Sequence, residues 1–239
     1  MIAYGSSLMR CVILQPSYIP WRGYFDLIHR ADVFIFYDDV QYDTRGWRNR
    51  NRIKSSQGTK WLTIPVRKHG AQKESIPINR IAIDDSAEWP RQHLAALTLS
   101  YSKAPHFDAY RGWLQQVYAA PPPLLADFTI ATTIELAGMV GITGTRFLRS
   151  SALDVGGRKT DRLVAILRKL GATEYLSGPS ARDYIEAEKF AEAGIDLQYI
   201  AYDYPEYLQV HPPYDAQVSI LDLLFMTGSD APRYIWGDR

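Results

Sequence analysis

Apolar residues along the chain alternate between short continuous runs and longer stretches with helical spacing. Residues 11–14 read as a short buried strand, 21–30 as a helix with Tyr24, Leu27 and Ile28 on one side, and 33–37 as a second apolar run ending at Asp38 and Asp39. Strand, turn, helix and strand within about 30 residues is the size of a βαβ unit with a parallel pair and a right-handed crossover. Residues 61–66 and 76–83 are further strand candidates, the second suited to a sheet edge because Pro77 lacks a donor. Helical spacing then dominates 89–99, 107–118 and 124–140, with Gly141 as a stop. The α/β rhythm resumes with strands at 145–148, 174–176 and 197–200 and helices at 160–170 and 181–193, closed by Gly171 and Gly194. Residues 219–226 predict a final helix with Ser219 as N-cap and Asp222 three positions on. The expected fold class is α/β, a mostly parallel sheet with helices on both faces. The expected organisation is one domain over 1–239, with a ragged extension over 1–8 and a helical insertion near 88–141.

Composition narrows the function classes. The 239 residues are 46% hydrophobic and 22% charged, and the net charge is +1. These are globular values, and no global field draws the chain to nucleic acid or anionic lipid. A single cysteine, Cys11, excludes an intrachain disulfide and a cysteine-rich metal site. Its place in an apolar run predicts burial rather than reactivity. No run approaches the roughly 20 apolar residues of a membrane span, and the first residues do not resemble a secretory signal. Cytoplasmic residence without membrane insertion is therefore the expectation.

Four segments concentrate groups that can carry chemistry. Residues 15–24 follow a strand and enter a helix, and there Gln15, Tyr18, Trp21 and Tyr24 share a loop stiffened by Pro16 and Pro20. Two readings fit that loop: a ligand-binding wall, or a proline turn with its aromatics packed inward. Asp38 and Asp39 close the second strand. They suit a sugar hydroxyl, a general base or Mg²⁺, and a cap or turn equally. In the third segment basic residues occupy alternate positions, so Arg48, Arg50, Arg52 and Lys54 share one face if it is extended, with Asn49 between them. That face predicts a small-anion site for phosphate or diphosphate, or else a charged edge strand that resists aggregation. In the fourth, Ser177 and Gly178 occupy a strand-to-helix turn and offer donors at a sheet edge. Among the five histidines none has metal-ligand spacing, and no metal site is expected. His93 is the candidate general base beside Asp39. Walker A, Gly-x-Gly-x-x-Gly and His-x-Gly-His motifs are absent.

Taken in order, these segments resemble the WbqC-like protein family of bacteria. The resemblance rests on Gln15-Pro16, Trp21-Arg22-Gly23-Tyr24-Phe25, Asp38-Asp39-Val40-Gln41-Tyr42, Trp47-Arg48-Asn49-Arg50-Asn51-Arg52-Ile53, Trp61-Leu62-Thr63-Ile64-Pro65-Val66, Lys159-Thr160-Asp161-Arg162, Tyr175-Leu176-Ser177-Gly178-Pro179 and Ser219-Ile220-Leu221-Asp222. It implies a biosynthetic role of the kind encoded in surface-polysaccharide (O-antigen) and related gene clusters, with modification of an amino sugar before polymer assembly. The residues add an expectation of group transfer. An acyl or aminoacyl group would pass from a thioester donor, on coenzyme A or an acyl-carrier protein, to the amine of a nucleotide-linked sugar. Arg50, Arg52 and Lys54 would hold phosphates, and Asp39 or His93 would take the proton. Mg²⁺ fits the paired acids. A nucleotide-dependent ligase or nucleotidyltransferase and a non-catalytic binding protein are the alternatives.

Overall fold

The computed structural model describes residues 8–44, 46–67, 76–86 and 88–237. The expected extension over 1–8 lies almost wholly outside the described residues. The chain packs as two compact units: the first from the stretch ending at Leu14 with Leu27–Tyr37 and Gly144–Tyr202, the second from Gln15–Asp26, Asp38–Thr143 and the stretch from Asp203 onward.

The first unit is an α/β layer structure. Its strands are β1 (Arg10–Leu14), β2 (Val33–Phe36), β5 (Arg146–Arg149), β6 (Glu174–Ser177) and β7 (Asp196–Tyr199). They form one parallel sheet in the order β5-β2-β1-β6-β7, with Cys11 opposite Val33 and Tyr175 and with Leu14 opposite Phe36. Helices α5 (Lys159–Leu170) and α6 (Ala187–Glu192) cover one face, where Leu163, Ile166, Leu167 and Phe190 pack on Cys11, Ile13, Val33, Ile35 and Tyr175. Helix α1 (Arg22–His29) links β1 to β2 along the chain, and only its last turn, from Leu27, belongs to this unit. The expected fold class holds. Cys11 is fully buried, and burial together with Asp32 pushes its thiol up to about 11, so it packs as a small apolar residue.

The second unit holds the antiparallel hairpin β3 (Arg50–Ser55) and β4 (Gly58–Thr63), and the helices α2 (Trp89–Tyr101), α3 (Phe107–Ala119), α4 (Leu125–Met139) and α7 (Ile220–Thr227). The ends of these helices fall within two residues of the helical spacing in the sequence. Ser219 caps α7 by accepting from the Leu221 amide at 3.2 Å.

The strand expected over 61–66 lies earlier, at Gly58–Thr63, and two further elements differ from expectation in kind. Residues 76–83 form no strand; a 3-10 turn at Ile78–Arg80 sits between single bridges that pair Pro77 with Gln41, Ala82 with Leu124 and Ile83 with Val66. Each residue finds a different neighbour, so no ladder builds. The helix expected over 181–193 is split into a 3-10 turn at Pro179–Asp183 and α6, and the Glu186 amide donates instead to Thr160 Oγ1 at 3.2 Å. That bond replaces the one a continuous helix would make.

Candidate functional site

The loop after β1 is held in one conformation from both sides. Its Tyr18 amide donates to the Arg48 carbonyl at 3.1 Å, and Asn51 Nδ2 lies 3.0 Å from the Tyr18 carbonyl and 2.8 Å from that of Ile19. The two bonds from Asn51 hold Ile19 at φ 34°, a conformation a β-branched residue rarely adopts. At Gly23 a Cβ would lie 2.4 Å from the Trp21 ring, so only glycine admits that indole at the start of α1.

This scaffold turns polar groups onto the Gln15 end of the loop. The Gln15 carbonyl accepts from Tyr24 Oη at 3.1 Å and from Arg48 at 3.2 Å, and Arg48 also donates to Ser17 Oγ at 2.7 Å. The side-chain amide oxygen of Gln15 is buried and has no hydrogen-bond partner among the described residues. Burial raises the Tyr24 phenol well above its ordinary range, against the Arg48 charge.

The segment from Asp38 to Tyr42 brings in the second half. Asp38 is fully buried, and its carbonyl accepts from the Asn79 amide at 2.8 Å. The Tyr42 amide donates to the Ile76 carbonyl at 3.0 Å. Tyr42 is 3% exposed, and its hydroxyl also lacks a partner among the described residues. Burial and then Asp43 push this phenol up to about 12, opposed by the charges of Arg50 and Arg48. Arg50 is braced by a 3.3 Å bond from Nε to the Gly46 carbonyl. Arg48 thus faces both halves: Gln15, Ser17 and Tyr24 on one side, Tyr42 on the other, with Arg50 also acting on Tyr42. The result is a cluster in which two guanidiniums act on a buried phenol, and two buried oxygens, Gln15 Oε1 and Tyr42 Oη, have no partner among the described residues.

Other predicted residues have structural partners. Tyr18 and His93 lie in the core, where Tyr18 Oη is 2.8 Å from His93 Nδ1 and also bonds Tyr118 Oη. Trp89 packs edge-on against His93, and burial holds that imidazole down to about 4. His93 is therefore neutral at pH 7. Asn49 donates to the Ile64 carbonyl at 2.8 Å. Trp21 stands edge-on to Tyr204, with centroids 6.0 Å apart. Arg22 is buried and donates to the carbonyls of Pro205 (2.8 Å) and Tyr234 (3.0 Å) and to Tyr214 Oη (2.6 Å).

The expected basic face is divided. Arg48 precedes β3 and serves the Gln15 loop. Arg52 donates to the Gln217 carbonyl at 2.9 Å and pairs with Asp215 at 3.4 Å. Lys54 is buried; its ammonium donates to the Pro213 carbonyl at 2.5 Å, and its charge acts on buried Asp222. Alternation placed Lys54 with Arg50 and Arg52, but the residues around 213–217 cover that end of the face, so Lys54 does not offer its ammonium to a solvent anion. Among the groups the structure does bring together, Tyr42 and Asn79 carried no warning in the sequence beyond their neighbourhood; the Asn79 amide oxygen is a further buried atom without a partner among the described residues.

Ser177 and Gly178 belong to the first unit, at the carboxyl end of β6. The chain order of that sheet reverses between β1 and β6, the position at which open parallel sheets take ligands. Ser177 Oγ lies 3.5 Å from Tyr175 Oη, and a Cβ at Gly178 would lie 3.3 Å from Tyr202 Oη, so glycine preserves a close approach there. In the second unit, a cleft of about 390 Å³ between Arg67, Trp89 and Pro121–Pro123 contains none of the clustered residues.

Among the described residues no group of His, Cys, Asp and Glu is placed to hold a metal ion, and no helix is long and apolar enough to cross a membrane. Comparison with known proteins matches residues 15–234 to the model of the WbqC-like protein family. The chain belongs to the WbqC-like protein family. The matched span contains the whole Gln15–Arg50 cluster and the hairpin that carries it. An uncharacterized protein of Mycobacterium tuberculosis (strain ATCC 25618 / H37Rv) is similar, at 40% identity over 230 residues that make up 95% of this chain and 98% of the relative. No solved structure matches.

Proposed function

We propose that this WbqC-like protein is a group-transfer enzyme that binds an anionic, amine-bearing small molecule, a nucleotide-linked amino sugar, at the Gln15–Tyr42–Arg48–Arg50 cluster. The observation that carries the reading is the pair of buried atoms without a partner among the described residues, Gln15 Oε1 and Tyr42 Oη, with Arg48 bonded to the Gln15 carbonyl and both Arg48 and Arg50 acting on Tyr42. Leaving such atoms unpaired costs about 1–3 kcal/mol each. A ligand bearing both phosphate oxygens and an N–H or O–H donor would satisfy the phenol and the amide, with the guanidiniums favouring its negative charge.

The reaction that fits this ligand is acyl transfer. The amine nitrogen attacks the carbonyl carbon of a thioester, the C–N bond forms, the C–S bond breaks, and the products are an amide and a thiol that carries away the proton. Asp39 is the base we assign, because His93 is sealed among Tyr18, Trp89 and Tyr118. The donor would be coenzyme A or an acyl-carrier protein, whose free thiol is the leaving group.

Binding is tested by thermal melting with a nucleotide-linked amino sugar at millimolar concentration. A ligand at 100 times its Kd stabilises by about 2.7 kcal/mol. The shift is expected in the native protein and absent in Arg48→Ala. An equal shift in both places the ligand elsewhere. Transfer itself is read as free thiol released from an acyl thioester only when the amine is present; pyrophosphate release from ATP in its place would favour a ligase.

A further inference from the structure

The hairpin face that carries Arg50, Arg52 and Trp61 is closed at one end and open at the other. At the closed end, Lys54 bonds Pro213 and Thr59 Oγ1 donates to Asp215 at 3.0 Å. Towards Arg50 and Thr63, the indoles of Trp61 and Trp47 are 42% and 40% exposed. Their centroids are 4.8 Å apart and their planes splay by 48°. The Arg50 guanidinium lies 4.6 Å from the Trp61 centroid, and that of Arg52 lies 5.5 Å from Trp47 and 5.9 Å from Trp61. Trp89 and Trp236, by contrast, are buried.

Two neighbouring indoles left open to water are not explained by packing within the hairpin. Large aromatics contribute most when covered, and an exposed, mutually tilted pair with guanidiniums against it is an open, cationic π surface. The ligand that complements such a surface has a planar ring and a negative charge. Arg50 supplies continuity: it lies against Trp61 and also acts on Tyr42, so the π surface adjoins the cluster with the unsatisfied atoms.

We propose that Trp47 and Trp61 form a stacking platform for the base of a nucleotide, whose phosphates reach Arg50. The phosphate end of this inference rests on the function proposed above; the stacking end does not. Every nucleobase has a π face, so the platform recognises a base without selecting strongly among bases. The near-neutral chain, +1 overall, favours a single nucleotide over a nucleic-acid strand.

The probes are UDP, ADP and inorganic pyrophosphate, titrated calorimetrically into the native protein and into Trp61→Ala, Trp61→Phe and Trp47→Ala. The two indoles are exposed, and unchanged circular dichroism checks that the variants fold. UDP and ADP are expected to bind within a few-fold of each other. Trp61→Ala is expected to weaken both by about 5- to 150-fold and Trp61→Phe by much less, with pyrophosphate unaffected. Nucleotide affinity unchanged in Trp61→Ala and Trp47→Ala, while pyrophosphate still binds, would overturn the platform alone. Failure of all three probes on the native protein would overturn the platform and the proposed function together. Nucleotide binding that depends on Trp61 but not on Arg48 or Tyr42 would keep the platform and sink the cluster. An oligouridylate that binds orders of magnitude more tightly than UDP, with steep salt dependence, would replace the nucleotide by a nucleic-acid strand.

Discussion

Replacing Tyr42 by phenylalanine separates a ligand-binding phenol from a structural one. The hydroxyl is buried and has no partner among the described residues, so its removal breaks no hydrogen bond to any of them. What it removes is the desolvation penalty of an unsatisfied polar atom, about 1–3 kcal/mol. The ring remains and the packing is unchanged. Tyr42→Phe should therefore be more stable than the native protein by about 1 kcal/mol, or about 2–4 °C in Tm for a chain of this size. The ligand should respond in the opposite direction. Burial holds this phenol up to about 12, so at pH 7 it is a neutral donor. A hydrogen bond from it to a charged phosphate is worth about 1.5–3 kcal/mol, a loss of roughly 10- to 150-fold in affinity. Paired denaturation curves at pH 7 and a binding titration read both quantities. A gain in stability with a loss in binding is the signature of a residue kept for its ligand. Destabilisation by 1 kcal/mol or more would show that the hydroxyl has a structural partner, and the argument for the cluster would lose half its support.

His93 gives a pH prediction with a definite sign. Its pKa falls from the usual 6.5 to about 4 on folding, so between those values the unfolded chain binds a proton that the native protein does not. Its contribution is full above pH 6.5 and is lost towards pH 4, by about 3 kcal/mol. Urea midpoints at pH 7 and pH 4.5 should differ less in His93→Gln than in the native protein, and equal differences would refute the burial argument. The Lys54–Asp222 pair gives a test of what closes the hairpin. Asp222 accepts from Tyr101 and Tyr207 at 2.8 Å each and from Gln209 at 3.0 Å. Asp222→Leu leaves two buried phenols and the Gln209 amide without their acceptor and removes a negative charge that acts on Lys54, and it should cost about 3–5 kcal/mol. Adding Lys54→Met should recover about 1–3 kcal/mol of that in a double-mutant cycle, and strict additivity would show that the two charges do not communicate.

The parallel sheet was legible because its central strands β1 and β2 are short apolar runs on either side of a helix, and because α5 and α6 show helical spacing between β5, β6 and β7. Its end points were readable to within a residue or two, and glycines at 171 and 194 stop α5 and the helix before β7 with φ of 71° and 70°. What periodicity does not carry is long-range pairing. Residues 76–83 alternate well enough to look like a strand, but a ladder needs one neighbour along its length, and here three segments each take a residue or two. The assembly of the second unit from separated stretches of chain is invisible for the same reason: bonds such as Arg22 to Pro205 and Arg52 to Gln217 span more than 160 residues, and nothing local announces them.

The same limit decides how much of the site could be read. Alternation in β3 correctly puts Arg50 and Arg52 on one face, and it says nothing about what lies over that face. Lys54 obeys the alternation and is nevertheless buried, because residues near 213 supply a carbonyl for its ammonium and Asp222 a counter-charge. Arg48 precedes the strand and follows the Tyr18 backbone instead, so it meets Gln15 rather than Arg52. The loop at 15–24 illustrates the point from the other side. Its reading as a packed proline turn describes Tyr18, Ile19 and Arg22, and its reading as a ligand wall is the one we propose for Gln15. Tyr18, Ile19 and Arg22 are packed, and the strained Ile19 backbone is held by Asn51. That packing leaves Gln15 with a fixed carbonyl and an unsatisfied amide oxygen, which is the condition for preorganised binding. A turn that were only structural would have no reason to bury that oxygen unpaired.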